Sequence, residues 1–165
     1  MMEFAAQDNE VLAHHEAGRA VVGQALNRLS LGIVLQGTDG VTMFRPRDTE
    51  PYHRGDTEAR VDAQILVRGD AAEPAYRQLH GSRSDTYGSG HDRKTVEEIT
   101  FVLYPDADEF VYAEQWKKEM LQVADIVIAK HGNKLEQLAE SLLVQRSLGK
   151  GEIAAILASS YADSP

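Results

Sequence analysis

The residues best suited to chemistry are His15 and Glu16, in the segment His15-Glu16-Ala17-Gly18-Arg19. They match the first half of the pattern His-Glu-x-x-His. In that pattern two imidazoles four residues apart on a helix hold one zinc ion, and the glutamate polarises a zinc-bound water. Here Arg19 stands in place of the second imidazole. Taken alone, the segment is also typical of a surface glutamate and arginine that pair one helical turn apart.

Arg19 cannot replace a histidine as a metal ligand, because a guanidinium has no free lone pair and stays protonated in proteins. A dication about 4 Å away would be repelled by on the order of 8 kcal/mol at an effective dielectric of about 20. We therefore expect the guanidinium to fill the metal position and to pair with Asp92, which the family resemblance given below places at that site, and with Glu16 as a second carboxylate. Two alternatives stay open: a weaker metal site completed by His91 or Glu73, and a site that is empty or hydrated.

A helix over about 9–27 must position these residues, because apolar residues recur there at three- and four-residue spacing. Leu31 to Gln36 and Val41 to Arg45 flank Gly37-Thr38-Asp39-Gly40, a pattern that predicts a β-hairpin. Pro46 to Gly55 is polar and holds two prolines, so it predicts a loop.

More helices are predicted downstream from caps, prolines and apolar spacing. The first is a helix from Asp56 or Thr57 to before Pro74, followed by a connection over 75–90 and a helix from His91 or Asp92 to Tyr104. A long helix then starts at Asp106 and Asp108 and runs to about His131, with a left-handed cap at Gly132-Asn133. The last two are a helix through Leu135 and Leu143 closed by Gly149, and a short helix through Ile153 and Leu157. The predicted fold class is mainly α (α+β), with a small hairpin or sheet beside the first helix.

Length and composition are those of a globular protein. The chain has 165 residues, 42% of them hydrophobic and 26% charged, which predicts a single domain. A net charge of −9 argues against nucleic acid or anionic lipid as the main partner. There is no cysteine, so disulfides, zinc ribbons and thiol catalysis are excluded.

The sequence also carries predictions about location. No apolar run approaches the about 20 residues that span a bilayer, so no membrane insertion is expected. Met1 to Glu10 lacks the basic and apolar blocks of a signal peptide. We therefore expect a soluble, cytoplasmic protein.

Further motifs follow His15 and Glu16 in order. They are Ala20-Val21-Val22-Gly23, Gly40-Val41-Thr42-Met43-Phe44, Arg68-Gly69-Asp70-Ala71-Ala72-Glu73, Tyr87-Gly88-Ser89-Gly90-His91-Asp92, and the helical stretch from Lys134 to Leu143. Together they resemble, over about residues 10–158, the zinc-peptidase domain of the FtsH-type membrane AAA proteases. No phosphate-binding G-x-x-x-x-G-K-[ST] loop occurs, so any ATPase would have to be a separate subunit.

The resemblance implies roles for individual residues. His15 matches the first zinc ligand, Glu16 the base that activates water, and Asp92 the third ligand, while Arg19 departs from the family pattern. In relatives of this fold an extended substrate lies along an edge strand, and Ile33, Val34 and Leu35 are our candidates for that edge.

Three hypotheses follow. The first is a zinc-free pseudo-peptidase that binds protein or peptide segments and has no cofactor. The second is an active, ATP-independent zinc metalloendopeptidase with a modified ligand set. The third is an assembly protein built on the long C-terminal helices, whose oligomeric state the sequence leaves open.

Overall fold

The described residues form a mainly helical fold with one small antiparallel sheet, as the sequence predicts. The structure is a computed structural model that describes residues 2–37, 39–47, 52–67 and 89–159. Within the helices, the side chains of residues 2–8, 89–91, 93 and 107 lie outside this description.

The elements follow one another in the order α1, β1, β2, α2, α3, α4, β3, α5. Their bounds are α1 Met2–Ala25, β1 Ser30–Gln36, β2 Asp39–Phe44, α2 over 57–67, α3 Ser89–Leu103, a short 3-10 turn Ala107–Glu109, α4 Phe110–Gln145, β3 Ser147–Gly149 and α5 Lys150–Ala158. The predicted start of α2 is confirmed: the Ala59 N–H donates to Asp56 Oδ1 over 3.0 Å, which caps the helix.

Helix α1 differs from the prediction in length and burial. It extends back to Met2 instead of about residue 9, and it is not amphipathic around its middle. From Val11 to Gly23 every residue is buried except Arg19, which is half-buried. The sheet and α4 both pack on this helix. Because α1 is enclosed, each polar side chain on its middle turns needs a partner inside the protein.

The sheet has the strand order β2-β1-β3, so β1 is its middle strand. Its residues Ile33 and Val34 face Thr42 and Val41 of β2 on one side and Leu148 and Ser147 of β3 on the other. The prediction that Ile33, Val34 and Leu35 form an edge is therefore wrong. Strand β3, with three residues, is too short for an alternating pattern to reveal it. Within the described chain, β2 pairs with β1 alone and leaves its other side free.

Helix α4 corrects a second prediction. The predicted break near His131 is present as a kink with non-helical backbone at His131 (φ −122°, ψ 19°). The predicted left-handed cap at Gly132-Asn133 is wrong, because neither residue has a positive φ and α4 runs on across the kink to Gln145. The buried Leu135, Leu138, Ala139 and Leu142 carry the helix on against the core, and this packing outweighs the local stop signal. The left-handed residue that ends α4 is Arg146 (φ 64°), not Gly149.

Two hydrophobic clusters organise the molecule, and α4 contributes to both. The first core joins α1, β1, the C-terminal half of α4, β3 and α5, around Ile33, Leu138, Leu142 and Ile153. The second core joins α2, α3 and the N-terminal half of α4, around Ile99, Trp116 and Met120. The kink at His131 lies close to the boundary between these two stretches of α4, although Val127 and Ile128 before it already pack on the first core.

Some predictions fall outside the described residues. They are Glu73, the helix end before Pro74 and most of the connection over 75–90, although α3 already includes Ser89 and Gly90. In the part of the chain that is described, none of the helices is both long enough and apolar enough to cross a membrane.

Candidate functional site

Four side chains from two helices meet between the two cores. His15, Glu16 and Arg19 come from α1, and Asp92 comes from the first turn of α3; we call them the Arg19 cluster. His15 and Arg19, four residues apart, share one face of α1. His15 and Glu16 are each 2% exposed and Asp92 is 3% exposed, so this set of ionisable groups is held almost entirely out of water.

The Arg19 guanidinium bridges the two carboxylates. Its Nη2 donates to Asp92 Oδ2, and its Nη1 lies 3.5 Å from Glu16 Oε2. These are the ion pairs that the sequence analysis predicts for Arg19. His15 Nε2 lies 3.2 Å from Asp92 Oδ2 and donates to it. Each carboxylate of the Arg19 cluster thus faces the cation, as a buried carboxylate requires.

Strand β2 fixes Glu16 from the other side. The Thr42 hydroxyl lies 2.6 Å from Glu16 Oε2 and 3.0 Å from the Glu16 backbone oxygen, and its single proton can be donated to either. At Gly40, a Cβ would come within 2.8 Å of Glu16 Cγ and 3.0 Å of Leu12 Cδ1. A glycine is therefore needed where β2 passes closest to α1. Sequence reasoning missed both roles, because they depend on how strand and helix meet.

Burial and the neighbouring cation act in opposite directions on Asp92. Burial alone raises the pKa of the Asp92 carboxyl, while the hydrogen bond from His15 and the charge and hydrogen bond of Arg19 lower it. The second set of effects wins, so the pKa of Asp92 lies below its ordinary value. Asp92 is an anion at neutral pH and keeps the guanidinium in place.

The described side chains of the Arg19 cluster do not by themselves fit a zinc ion. The 3.2 Å between His15 Nε2 and Asp92 Oδ2 is close to the about 3.3 Å between two ligands of tetrahedral zinc. A stable site needs a third protein ligand, however, and the residue placed to supply it is the cation Arg19. Among the residues that the structure describes, no group of three His, Asp or Glu side chains is arranged to hold a metal.

The predicted substitute ligands, Glu73 and His91, stay predictions. Glu73 and the side chain of His91 lie outside the described residues. His14 is turned away from the Arg19 cluster: its Nδ1 contacts the Glu10 backbone oxygen at 2.8 Å, and its Nε2 contacts Glu136 at 2.9 Å. Ile33 and Leu35 are 0% and 4% exposed, so their side chains belong to the first core and face no ligand.

A cavity of about 300 Å³ lies beside the Arg19 cluster. Its polar lining includes Arg19, Thr42 and Asp92, and its apolar lining comes from β2 and α2 through Phe44, Ile65 and Leu66. The cavity therefore extends from the Arg19 cluster to the side of β2 that pairs with no other described strand. Arg19 Nε is buried and has no hydrogen-bond partner among the described residues.

A second buried cluster was not anticipated from the sequence. Arg47, just after β2, contacts Asp56 and lies 3.2 Å from Asp62 Oδ2, and its guanidinium stacks over Tyr52 at 4.1 Å. Arg28, in the turn after α1, lies 3.3 Å from Asp62 Oδ1. We call these residues the Arg47 cluster. No motif marks them, because arginines and aspartates in a loop are ordinarily solvated.

No protein-family model matches the chain, and no curated protein matches it in sequence.

Proposed function

We propose that this protein is a zinc-free pseudo-peptidase of the FtsH-peptidase type, which binds an extended protein or peptide segment along β2 and does not hydrolyse it. Its role is that of a binding or regulatory module. The partner is a flexible polypeptide, delivered by a separate ATPase subunit or already unfolded.

The position of Arg19 is the observation that supports the proposal that the protein binds no zinc. Its guanidinium contacts Asp92 and lies 3.5 Å from Glu16, the two carboxylates that the resemblance assigns to a metal ligand and a base. A cation supplied by the protein here satisfies both carboxylates, and a dication would have to displace it against like-charge repulsion. Without a metal, Glu16 has no polarised water to deprotonate.

The free side of β2 supports the binding part. Strand addition uses backbone N–H and C=O groups, so it needs an unpaired strand and no metal. Within the described chain β2 pairs with β1 alone. Its Val41 and Met43 are 48% and 43% exposed, and they offer apolar contact on the sheet face turned away from the core. The cavity beside Thr42 and Phe44 can take a side chain of the added strand.

Fluorescence anisotropy with a labelled peptide of alternating valine and threonine, about ten residues long, tests this proposal. We expect binding by the native protein, and recovery of the intact peptide after long incubation with added zinc. The same peptide with alternate backbone nitrogens methylated should bind at least about tenfold more weakly, because it loses its strand hydrogen bonds.

Two matched variants localise the binding. Val41→Lys places a charge on the apolar face of β2 and should weaken binding about tenfold. Val144→Lys makes the same change at a residue that is 83% exposed on α4, and it should leave affinity unchanged. Absence of binding, equal binding of the methylated peptide, or cleavage of the peptide that depends on His15 would each contradict the proposal.

A second candidate, self-assembly, rests on a different observation. Phe101 and Phe110 are 70% and 66% exposed, and both line a groove between α3 and α4. Val111 and Tyr112, which follow Phe110 in α4, are exposed too. Sedimentation at rising protein concentration tests it. An oligomer that Phe110→Ser converts to a monomer would favour assembly through this groove, and a monomer at every concentration would exclude it.

A further inference from the structure

We infer that the segment held by β2 carries acidic residues beside its extended stretch, and that a cationic cleft at the end of the sheet binds their carboxylates. This inference rests on the proposed function and adds the chemical class of its partner. It concerns residues that lie outside the Arg19 cluster.

The cleft lies where β1 begins and where β2 and β3 end. Its volume is about 470 Å³. It is lined by the turn after α1, by Arg45 and Pro46 after β2, by the first turns of α2, and by Lys150 at the start of α5. Leu29 and Leu31, 48% and 41% exposed, give it apolar walls. A cleft with apolar walls and charged groups at its rim suits an amphipathic segment.

The charge of the cleft is opposite to that of the protein as a whole. Arg28, Arg45 and Lys150 line it against one carboxylate, that of Glu58, while the chain carries a net charge of −9. Arg28 is held by Glu58 and Asp62. Arg45 and Lys150 form no ion pair with any residue in the described ranges. The Arg45 guanidinium and the Lys150 ammonium can therefore each bind a ligand. Carboxylates are the side chains that complement them.

The cleft continues the proposed binding strand. Phe44 lines the cavity beside the Arg19 cluster, and the next residue, Arg45, lines the cleft. The first turns of α2 line the cleft, and the following turns, at Asp62 and Ile65, line the cavity. The two cavities are therefore consecutive along the space between β2 and α2. A chain extended along β2 reaches the cleft where that strand ends.

Three versions of one peptide test the inference by anisotropy. Each has the valine-threonine stretch of the earlier probe, flanked at both ends by two glutamates, two glutamines or two lysines. We expect the glutamate version to bind about three- to tenfold more tightly than the glutamine version, and the lysine version to bind more weakly than either. The preference should shrink as salt rises, because exposed charges are screened.

Charge-reversing variants assign the effect to the cleft. Arg45→Glu and Lys150→Glu, both at exposed positions, should each remove the preference for glutamate and leave binding of the glutamine version unchanged. Lys118→Glu on the exposed face of α4 makes the same change in net charge and should keep the preference. Circular dichroism confirms that each variant is folded.

The outcomes separate the two proposals. If the glutamine version binds but the glutamate version binds no better, the cleft inference is overturned and strand binding stands. The inference is also overturned if Lys118→Glu abolishes the preference as completely as Arg45→Glu, since net charge would then be its cause. If none of the three peptides binds, the proposed function fails and this inference fails with it.

Discussion

Arg19 and Arg47 are both half-buried arginines that bridge two carboxylates, yet their surroundings differ. Arg47 joins the exit of β2 to the start of α2, and its partners have further support: Asp56 accepts the Ala59 N–H and Asp62 also pairs with Arg28. Arg19 lies on an enclosed helix next to a histidine and a glutamate, beside a cavity, and its Nε has no partner in the described chain.

The difference shows what an arginine-aspartate pair does and does not indicate. Both pairs neutralise buried carboxylates, so neither pair alone marks a functional site. The Arg47 cluster is a structural tie between a strand and a helix. The Arg19 cluster has the same electrostatics, but the family resemblance assigns its residues to a metal site and to the activation of water. Substitutions in the two clusters should therefore separate stability from chemistry.

Arg19→Met should have the largest effect on stability. Removing the cation leaves Glu16 and Asp92 facing each other's charge in the interior, which costs about 3–5 kcal/mol in the free energy of unfolding. Urea denaturation followed by circular dichroism measures the loss. Arg19→Lys keeps the charge but not the fork geometry, so its loss should be smaller. Equal stability of Arg19→Met and the native protein would show that the guanidinium does not hold the carboxylates together.

Arg47→Met should cost less, about 2 kcal/mol, because each of its aspartates keeps another partner. The same urea experiment measures this difference. Peptide binding along β2 should persist in the folded variant, because Arg47 contacts the start of α2 and not the Arg19 cluster. A loss larger than that of Arg19→Met would reverse the ranking of the two clusters.

One aspartate from each cluster, Asp92 and Asp62, should also respond differently to acid, and this effect is the smallest. The pKa of Asp56, the other aspartate that Arg47 contacts, is lowered like that of Asp92. The pKa of Asp92 lies below its ordinary value near 3.8. Asp92 therefore contributes stability above that value, and the contribution is lost as pH falls through the lowered pKa. The pKa of Asp62 is raised by burial, although Arg28 and Arg47 oppose the shift. Its contribution is present below its ordinary value near 3.8 and is lost as pH rises through the raised pKa.

Asp92→Asn and Asp62→Asn test these signs. Asp92→Asn should reduce the loss in the free energy of unfolding as pH falls. Asp62→Asn should remove the opposite dependence, which is a decrease in the free energy of unfolding as pH rises just above the ordinary aspartate pKa. Urea midpoints across the acid range measure both slopes. Slopes that change in the same direction in the two variants would contradict the assigned signs.

The sequence predicts local features of the fold well. The cap at Asp56, the hairpin and the class of the fold follow from short-range signals such as turn residues and apolar spacing. The pairing of Arg19 with Asp92 is predicted from the family resemblance, which implies that Asp92 lies at the site, together with charge, because a buried carboxylate needs a cation. These predictions succeed because each depends on a few neighbouring residues or on one strong electrostatic demand.

Features set by tertiary packing could not be predicted from the sequence. Strand β3 pairs three residues with a strand more than a hundred positions earlier, and its pairing makes β1 the middle of the sheet. Helix α4 continues past Gly132 because Leu135 and Leu138 pack in the first core. The contact between Thr42 and Glu16 depends on how β2 crosses α1. In each case the deciding partner is distant in the chain.

Zinc titration of the native protein and of Arg19→His, by equilibrium dialysis with metal analysis, tests the central claim most directly. The account predicts no specific zinc in the native protein and one zinc per chain in Arg19→His, because His15 and Asp92 already have the separation of two ligands. That zinc should be lost when His15→Ala is added. Stoichiometric zinc in the native protein, removed by His15→Ala, would contradict the claim that Arg19 fills the metal position.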